Sequence, residues 1–383
     1  MTVNSTEDQI YVITNTGQLL KGDMELNLEG AQPHNPKFDY LQEPFHKGEI
    51  TGLDVCIRKQ LIVTGSKDKT VSIWNYETRK RELTHQFTEE VLAVAFHPSG
   101  LHLLVALTDK IQFCNILSKS LNSFKQVTVK NCSEIRFSHG GHLFAAAMNS
   151  SHIHVYNFYT TDCPLPMQYT GHTNKVRCID WFENDMGFAS CGHDGNIYFF
   201  DLYTYKEQQK RNTDKDFNKR DVKFLSCVNI PGKPYEVYAV GSDKSITSNV
   251  IQKKAQKGNG AQDLDATISQ LAITKSGKAL FAGVGESRRP GAIQIWRFPM
   301  EKVNVVQAHS KPIERLRMNF DNTHLFSVGQ DGMLCIFDVK DKDPRGLKPE
   351  PSLKASEEIL TEKQEMEMYI TEKDSLIQEF KNL

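Results

Sequence analysis

The sequence predicts an all-β protein: four-stranded sheets repeated around a common axis, then one long helix. Three observations predict it. A constellation of His, Ser or Thr, Asp and an aromatic residue recurs three times at fixed spacing. The chain as a whole repeats with a period of about 40–45 residues. Beyond residue 352 the apolar period changes from that of strands to that of a helix.

The clearest copies run from His46 through Thr64-Gly65-Ser66-Lys67-Asp68 to Trp74, from His172 through Ser190-Cys191-Gly192-His193-Asp194 to Phe200, and from His309 through Ser327-Val328-Gly329-Gln330-Asp331 to Phe337. His and Asp are 22 residues apart in all three, and Asp and the aromatic are 6 apart. Weaker copies fill the gaps, among them one with His97-Pro98-Ser99-Gly100 as its turn and one ending in Ile295-Trp296-Arg297. The terminal position of each repeat falls at 74, 114, 156, 200, 249, 296 and 337, in steps of 40, 42, 44, 49, 47 and 41. Seven full repeats are countable. This period, with its Trp-Asp-like ending, resembles the WD40 β-propeller family over roughly residues 45–340. Each repeat would be one blade, too small to bury its own faces, and stacking buries apolar strands between neighbours.

The resemblance implies a role for the spaced polar residues. In WD40 blades they form a hydrogen-bonded chain, which carries over to His46, Thr64, Asp68 and Trp74. The other two sets are His172, Ser190 and Asp194, and His309, Ser327 and Asp331. Phe200 and Phe337 take the Trp position, so those two chains lack an indole donor. A catalytic Ser-His-Asp set is the competing reading. It needs one exposed nucleophile, whereas these sets occur three times at one spacing. Mutual satisfaction of polar groups inside blades is therefore the expectation.

Ahead of the repeats, residues 10–16 and 18–24 read as a strand pair around Asn15-Thr16-Gly17, with residues 38–45 as an outer strand. That is most of a blade without its innermost strand. Either it belongs to something longer or it closes the ring with the last repeat. The division expected is an incomplete blade at 1–45, a propeller at 46–340, a linker at 341–352 and a helical segment at 353–383.

The linker is marked by Asp343-Pro344-Arg345-Gly346 and Pro349-Glu350-Pro351. Beyond it, Ser356 followed by Glu357 and Glu358 suits a helix start. Ile359, Met366, Ile370, Ile377 and Phe380 fall on one helical face, interrupted by Lys363 and Lys373. The expectation is the start of a coiled coil that seeks a partner helix, a second copy included. A helix folded back on the propeller is the alternative.

Composition excludes several classes. The chain has 383 residues, 24% of them charged, and a formal net charge of −1. Nothing in that balance argues for nucleic acid or a membrane surface as the bulk partner. No apolar run approaches a membrane span, and residues 1–9 are polar. The eight cysteines include no C-x-x-C, and reduced, buried thiols of a cytosolic protein are expected.

Other candidates for chemistry are weak. His139, His142, His152 and His154 crowd one repeat, but no carboxylate or Cys completes a metal set. The glycines at 283–285 and 291 lack a phosphate-cradling signature, so no metal and no cofactor is expected. The insertion that holds Arg288 and Arg289 is a candidate partner-binding loop. Polar insertions at 206–221 and 253–260 read as blade-edge loops.

Particular words narrow the family. Ile50-Thr51-Gly52-Leu53-Asp54-Val55-Cys56, Trp74-Asn75-Tyr76-Glu77-Thr78, Gly140-Gly141-His142-Leu143-Phe144 and Glu357-Glu358-Ile359-Leu360-Thr361-Glu362-Lys363 resemble the cilia- and flagella-associated protein 57 family, at its second propeller and the start of its coiled coil. The resemblance implies a non-enzymatic axonemal scaffold of motile cilia, linked to inner dynein arm placement. Dynein arm or doublet-microtubule components are the partners it implies. A soluble WD40 adaptor, such as a ubiquitin-ligase substrate receptor or a trafficking subunit, is the second function class.

Overall fold

The computed structural model describes residues 2–4, 6, 8–13, 19–23, 38–42, 45–160, 167–202, 222–233, 235–250, 262–263, 266–286, 289–297, 301–340 and 355–382. Eight antiparallel sheets and one helix stand among them. An N-terminal sheet comes first, and seven further sheets follow in chain order.

The first sheet of these seven shows the plan: Ile50–Val55 innermost, then Leu61–Ser66, Thr70–Asn75 and Lys80–Gln86 outermost. Burial is greatest on the second strand and least on the outermost. Every residue of Leu61–Ser66 is buried, whereas Lys80–Gln86 is exposed at alternate positions. The innermost strands of the next six sheets are Ala93–Phe96, Cys132–Phe137, Val176–Trp181, Phe224–Asn229, Ile268–Ile273 and Ile313–Met318. Each packs beside the next, and Ile313–Met318 packs back against Ile50–Val55. The fourth and seventh sheets have three strands among the described residues.

Apolar residues between sheets hold the ring. Val63, Val71 and Ile73 of the first sheet pack with Val94, Phe96, Leu103 and Val105 of the second. At the join, Ile62 and Trp74 of the first sheet meet Phe326 and Val328 of the seventh. The His46 N–H also donates to the carbonyl of Gly332 at 3.2 Å. Gly332 has φ +76°, and a Cβ there would come within 2.5 Å of the His46 carbonyl oxygen, so the join requires glycine.

These sheets correct one expectation and decide against one open alternative. The N-terminal sheet does not lack a fourth strand: Thr2–Val3 pairs with Gln9–Ile13, followed by Leu19–Asp23 and Phe38–Gln42. Nor does that sheet close the ring, since the seventh sheet abuts the first directly.

The tail departs from its sequence reading as well. The helix spans Lys363–Asn382 and begins seven residues beyond Ser356. Ile359 precedes the helix and is not part of its face. The Ser356 N–H donates to the carbonyl of Arg58 at 2.8 Å, Lys59 Nζ donates to the Glu358 carbonyl, and Leu360 forms a parallel β-bridge with Leu117. An ion pair between Lys119 and Glu365, 3.5 Å, follows at the first helical turn. These residues form a strap across the first and second sheets. The insertions at 206–221 and 253–260 lie outside the described residues, as does Cys163.

Candidate functional site

Three polar chains lie at one end of the ring. Asp68, Asp194 and Asp331 stand in the turns between second and third strands. In the first sheet, the Trp74 indole N–H donates to Thr64 Oγ1 at 2.9 Å, and Thr64 Oγ1 lies 2.7 Å from His46 Nε2. His46 Nδ1 is 2.9 Å from Thr70 Oγ1 and 3.4 Å from an Asp68 oxygen. One order of donors that satisfies these contacts runs Trp, Thr, His, Asp, with a proton on His46 Nδ1; Thr64 Oγ1 also lies 3.4 Å from the Ser72 carbonyl oxygen. Burial pushes the Asp68 carboxyl up, but hydrogen bonds with His46, Thr70 and the Lys47 N–H hold it well below the usual carboxylate range.

The fourth and seventh sheets repeat the arrangement without the indole. His172 Nε2 is 2.8 Å from Ser190 Oγ, and Nδ1 is 2.9 Å from Asp194. For His309 the distances are 2.8 Å to Ser327 and 3.0 Å to Asp331. Thr64, Ser190 and Ser327 are wholly buried, so no substrate carbonyl reaches these hydroxyls.

A second polar cluster fills the axis, and sequence reasoning missed it. Glu134, buried, pairs with Arg315 at 2.8 Å and Arg317 at 3.1 Å. Arg136 reaches Glu134 at 3.3 Å and Asp54 at 3.1 Å. Arg315 Nε also donates to the Thr51 carbonyl at 3.0 Å, tying the seventh sheet to the first. Burial and the neighbouring Arg136 bring Arg317 down to about 10 despite its pairing with Glu134. Burial pushes Asp180 up to about 6, where only the Asn229 N–H, 2.7 Å away, and more distant cations oppose it. A signal was present in the sequence. Asp54, Arg136, Asp180 and Arg317 each occupy the fifth position of an otherwise largely apolar innermost strand.

The other candidates are scattered. Arg288 lies outside the described residues; Arg289 ion-pairs with Glu286 at 3.3 Å. His139 pairs with Asp185, and His154 bonds to Tyr156. Among the described residues no His, Cys, Asp and Glu group has metal-holding geometry, and no helix is long and apolar enough to cross a membrane. Met366, Ile370, Ile377 and Phe380 lie on one helix with about half or more of each surface exposed, except Ile377 at 42%. Cys335 is only partly buried, unlike the other described cysteines.

The family model "WD domain, G-beta repeat" matches residues 41–75, 164–201 and 300–338, the three repeats that carry the His chains. The chain is 35% identical over 369 residues to cilia- and flagella-associated protein 57 A of Tetrahymena thermophila, covering 88% of this chain and 28% of that relative. It is 35% identical over 368 residues to cilia- and flagella-associated protein 57 of Mus musculus, covering 94% of this chain and 28% of the relative. The chain belongs to the cilia- and flagella-associated protein 57 family. It spans less than a third of the length of these family members. A more distant similarity, 23% identity over 337 residues, links it to the 77 kDa echinoderm microtubule-associated protein of Lytechinus variegatus, covering 86% of this chain and 45% of that protein. The family's β-propeller architecture accounts for the stacked sheets.

Proposed function

We propose that this chain is a non-enzymatic, protein-binding part of a motile-cilium axonemal scaffold that helps to position inner dynein arms. The carrying observation is the helix: its apolar face is uncovered, with Phe380 80% and Met366 51% exposed, and it starts where the strap leaves the ring. Apolar residues displayed in this pattern favour burial against a second helix, a copy of itself included. In this reading the His sets are structural. They stiffen three blades of a seven-bladed ring, and the N-terminal sheet is a separate unit. The ring is then a docking head, with Arg288 and Arg289 on one of its loops, and doublet-microtubule or dynein-arm components are its partners. The microtubule-associated relative supports a cytoskeletal partner.

The test is extraction of isolated cilia with detergent and then high salt. The full-length protein is expected to stay with the axoneme, and deletion of the helical segment to release it. Appearance in the detergent-soluble fraction would sink the scaffold reading in favour of an adaptor.

A further inference from the structure

Four turns at the His-chain end of the ring share one backbone contact. The Lys67 N–H donates to the Glu49 carbonyl at 3.0 Å, His193 to Lys175 at 2.9 Å, Ser242 to Lys223 at 2.8 Å and Gln330 to Pro312 at 3.1 Å. These pairs hold equivalent positions in the first, fourth, fifth and seventh sheets. Their side chains differ. Lys67 and Glu49 make an ion pair at 2.5 Å. In the fourth sheet both members, Lys175 and His193, are basic, and the fifth sheet beside it adds Lys223.

A neighbouring position is also out of pattern. Thr51, Ser133 and Ser269 stand at bulges in the innermost strands of the first, third and sixth sheets. Each hydroxyl donates toward the next sheet: to the Val91 carbonyl at 2.7 Å, to Val176 at 3.1 Å and to Ile313 at 2.5 Å. In the fourth sheet Arg177 takes the bulge and has no hydroxyl for that contact. Its guanidinium lies 3.7 Å from Glu314 of the seventh sheet, whose other oxygen accepts from Gln330 at 2.6 Å. Arg177 Nε and His193 Nε2 are enclosed and have no hydrogen-bond partner among the described residues. Enclosed polar atoms of that kind are rare in folded proteins. The basic groups also crowd one another. Burial, with Arg177, Lys223 and Lys175, pushes the His193 ring below its ordinary value, and burial with Arg315 does the same to Arg177. The group faces solvent, since Lys223 is exposed and the Arg177 side chain is 25% exposed.

We propose that Lys175, Arg177, His193 and Lys223 form a docking site for an acidic peptide segment of a partner protein. The first sheet supplies the template. A carboxylate of the partner stands to Lys175 and His193 as Glu49 stands to Lys67, and it relieves the crowding of like charges through charge-assisted hydrogen bonds. The inference rests on the docking-head reading above and names the chemistry of one partner.

The test titrates the purified full chain against a fluorescent oligoglutamate peptide, followed by anisotropy, with a melting temperature for every variant. Saturable binding is expected. Arg177→Gln should weaken it by about tenfold or more, and the exposed change Lys223→Gln, which leaves the fold intact, by about threefold. Lys67→Gln removes the same charge from the equivalent turn, where Glu49 already pairs with it, and should change affinity by less than about twofold. Absence of binding, or equal weakening by Lys67→Gln and Lys223→Gln, would overturn the site. Tighter binding of a single-stranded oligouridylate, lost in the same variants, would overturn it in favour of nucleic acid. The assay needs no cilia. A chain that fails it while the full-length protein stays with salt-washed axonemes loses this site and keeps the scaffold reading. A chain that passes while the full-length protein is detergent-soluble keeps the site on an adaptor.

Discussion

The first and sixth sheets place a tryptophan at the same register and treat it differently. Trp74 pairs with Ile62, Trp296 with Leu280, and both rings are buried. The Trp74 indole N–H donates to Thr64, whereas the Trp296 N–H has no partner among the described residues, because Ala282 stands where Thr64 does. An aromatic in this position is therefore placed by packing, and the polar chain is an addition to it. In the first and seventh sheets the addition sits beside the join of the ring. The sixth sheet has sequence-adjacent neighbours on both sides. The first sheet must be joined to the seventh without a covalent connection, and there His46 binds Gly332 and Arg315 binds Thr51.

The largest effect that would test this difference is expected from Thr64→Val. It keeps the shape but orphans His46 Nε2 and the Trp74 N–H, at about 1–3 kcal/mol for each buried group. Urea denaturation should show that loss. A Thr64→Val protein as stable as the parent would mean that the chain is dispensable at the join. Next in size is Asp68→Asn. Because the folded-state Asp68 carboxyl is held low, its contribution is present above the ordinary carboxylate value of about 3.9 and is lost as pH falls below it. The gap in stability between parent and variant should be constant from about pH 5 upward and should narrow below about pH 4. A gap that widened in acid would refute the assigned donor order. The smallest effect is a difference between two variants. Trp74→Phe and Trp296→Phe remove similar bulk, but only the first removes a made hydrogen bond. Trp74→Phe should cost about 1 kcal/mol more by the same denaturation assay. Equal costs would show that the N–H at position 74 gains nothing from Thr64.

Much of this architecture was legible in the amino-acid sequence. Turn glycines and aspartates, the closing aromatics and the 22-residue spacing mark the sheets and the three His chains. The axial ion cluster was not found, because its charges are spread over separate strands, mostly more than 40 residues apart, and pair only when strands from distant repeats converge. Glu134 and Arg317 are 183 residues apart. The helix start was misplaced for a related reason. Ser356-Glu357-Glu358 has the composition of a helix N-terminus, but the Ser356 N–H and Leu360 are taken up by Arg58 and Leu117. Tertiary pairing of that kind outweighs local propensity, which is a weak prior. Thr2–Val3 was too short to register as a strand at all.

The strap makes the helix a lever with its bearing at the edge of the ring. Twenty residues extend about 30 Å from the last contact, so a tilt of about 10° at the bearing carries the tip sideways by about 5 Å. That distance is close to the helical pitch of about 5.4 Å. A partner helix seated against Ile377 and Phe380 would meet a different set of side chains after such a swing. In the proposed assembly, whatever loosens Lys59 from Glu358 or Leu117 from Leu360 would change the alignment of a contact a full helix length away.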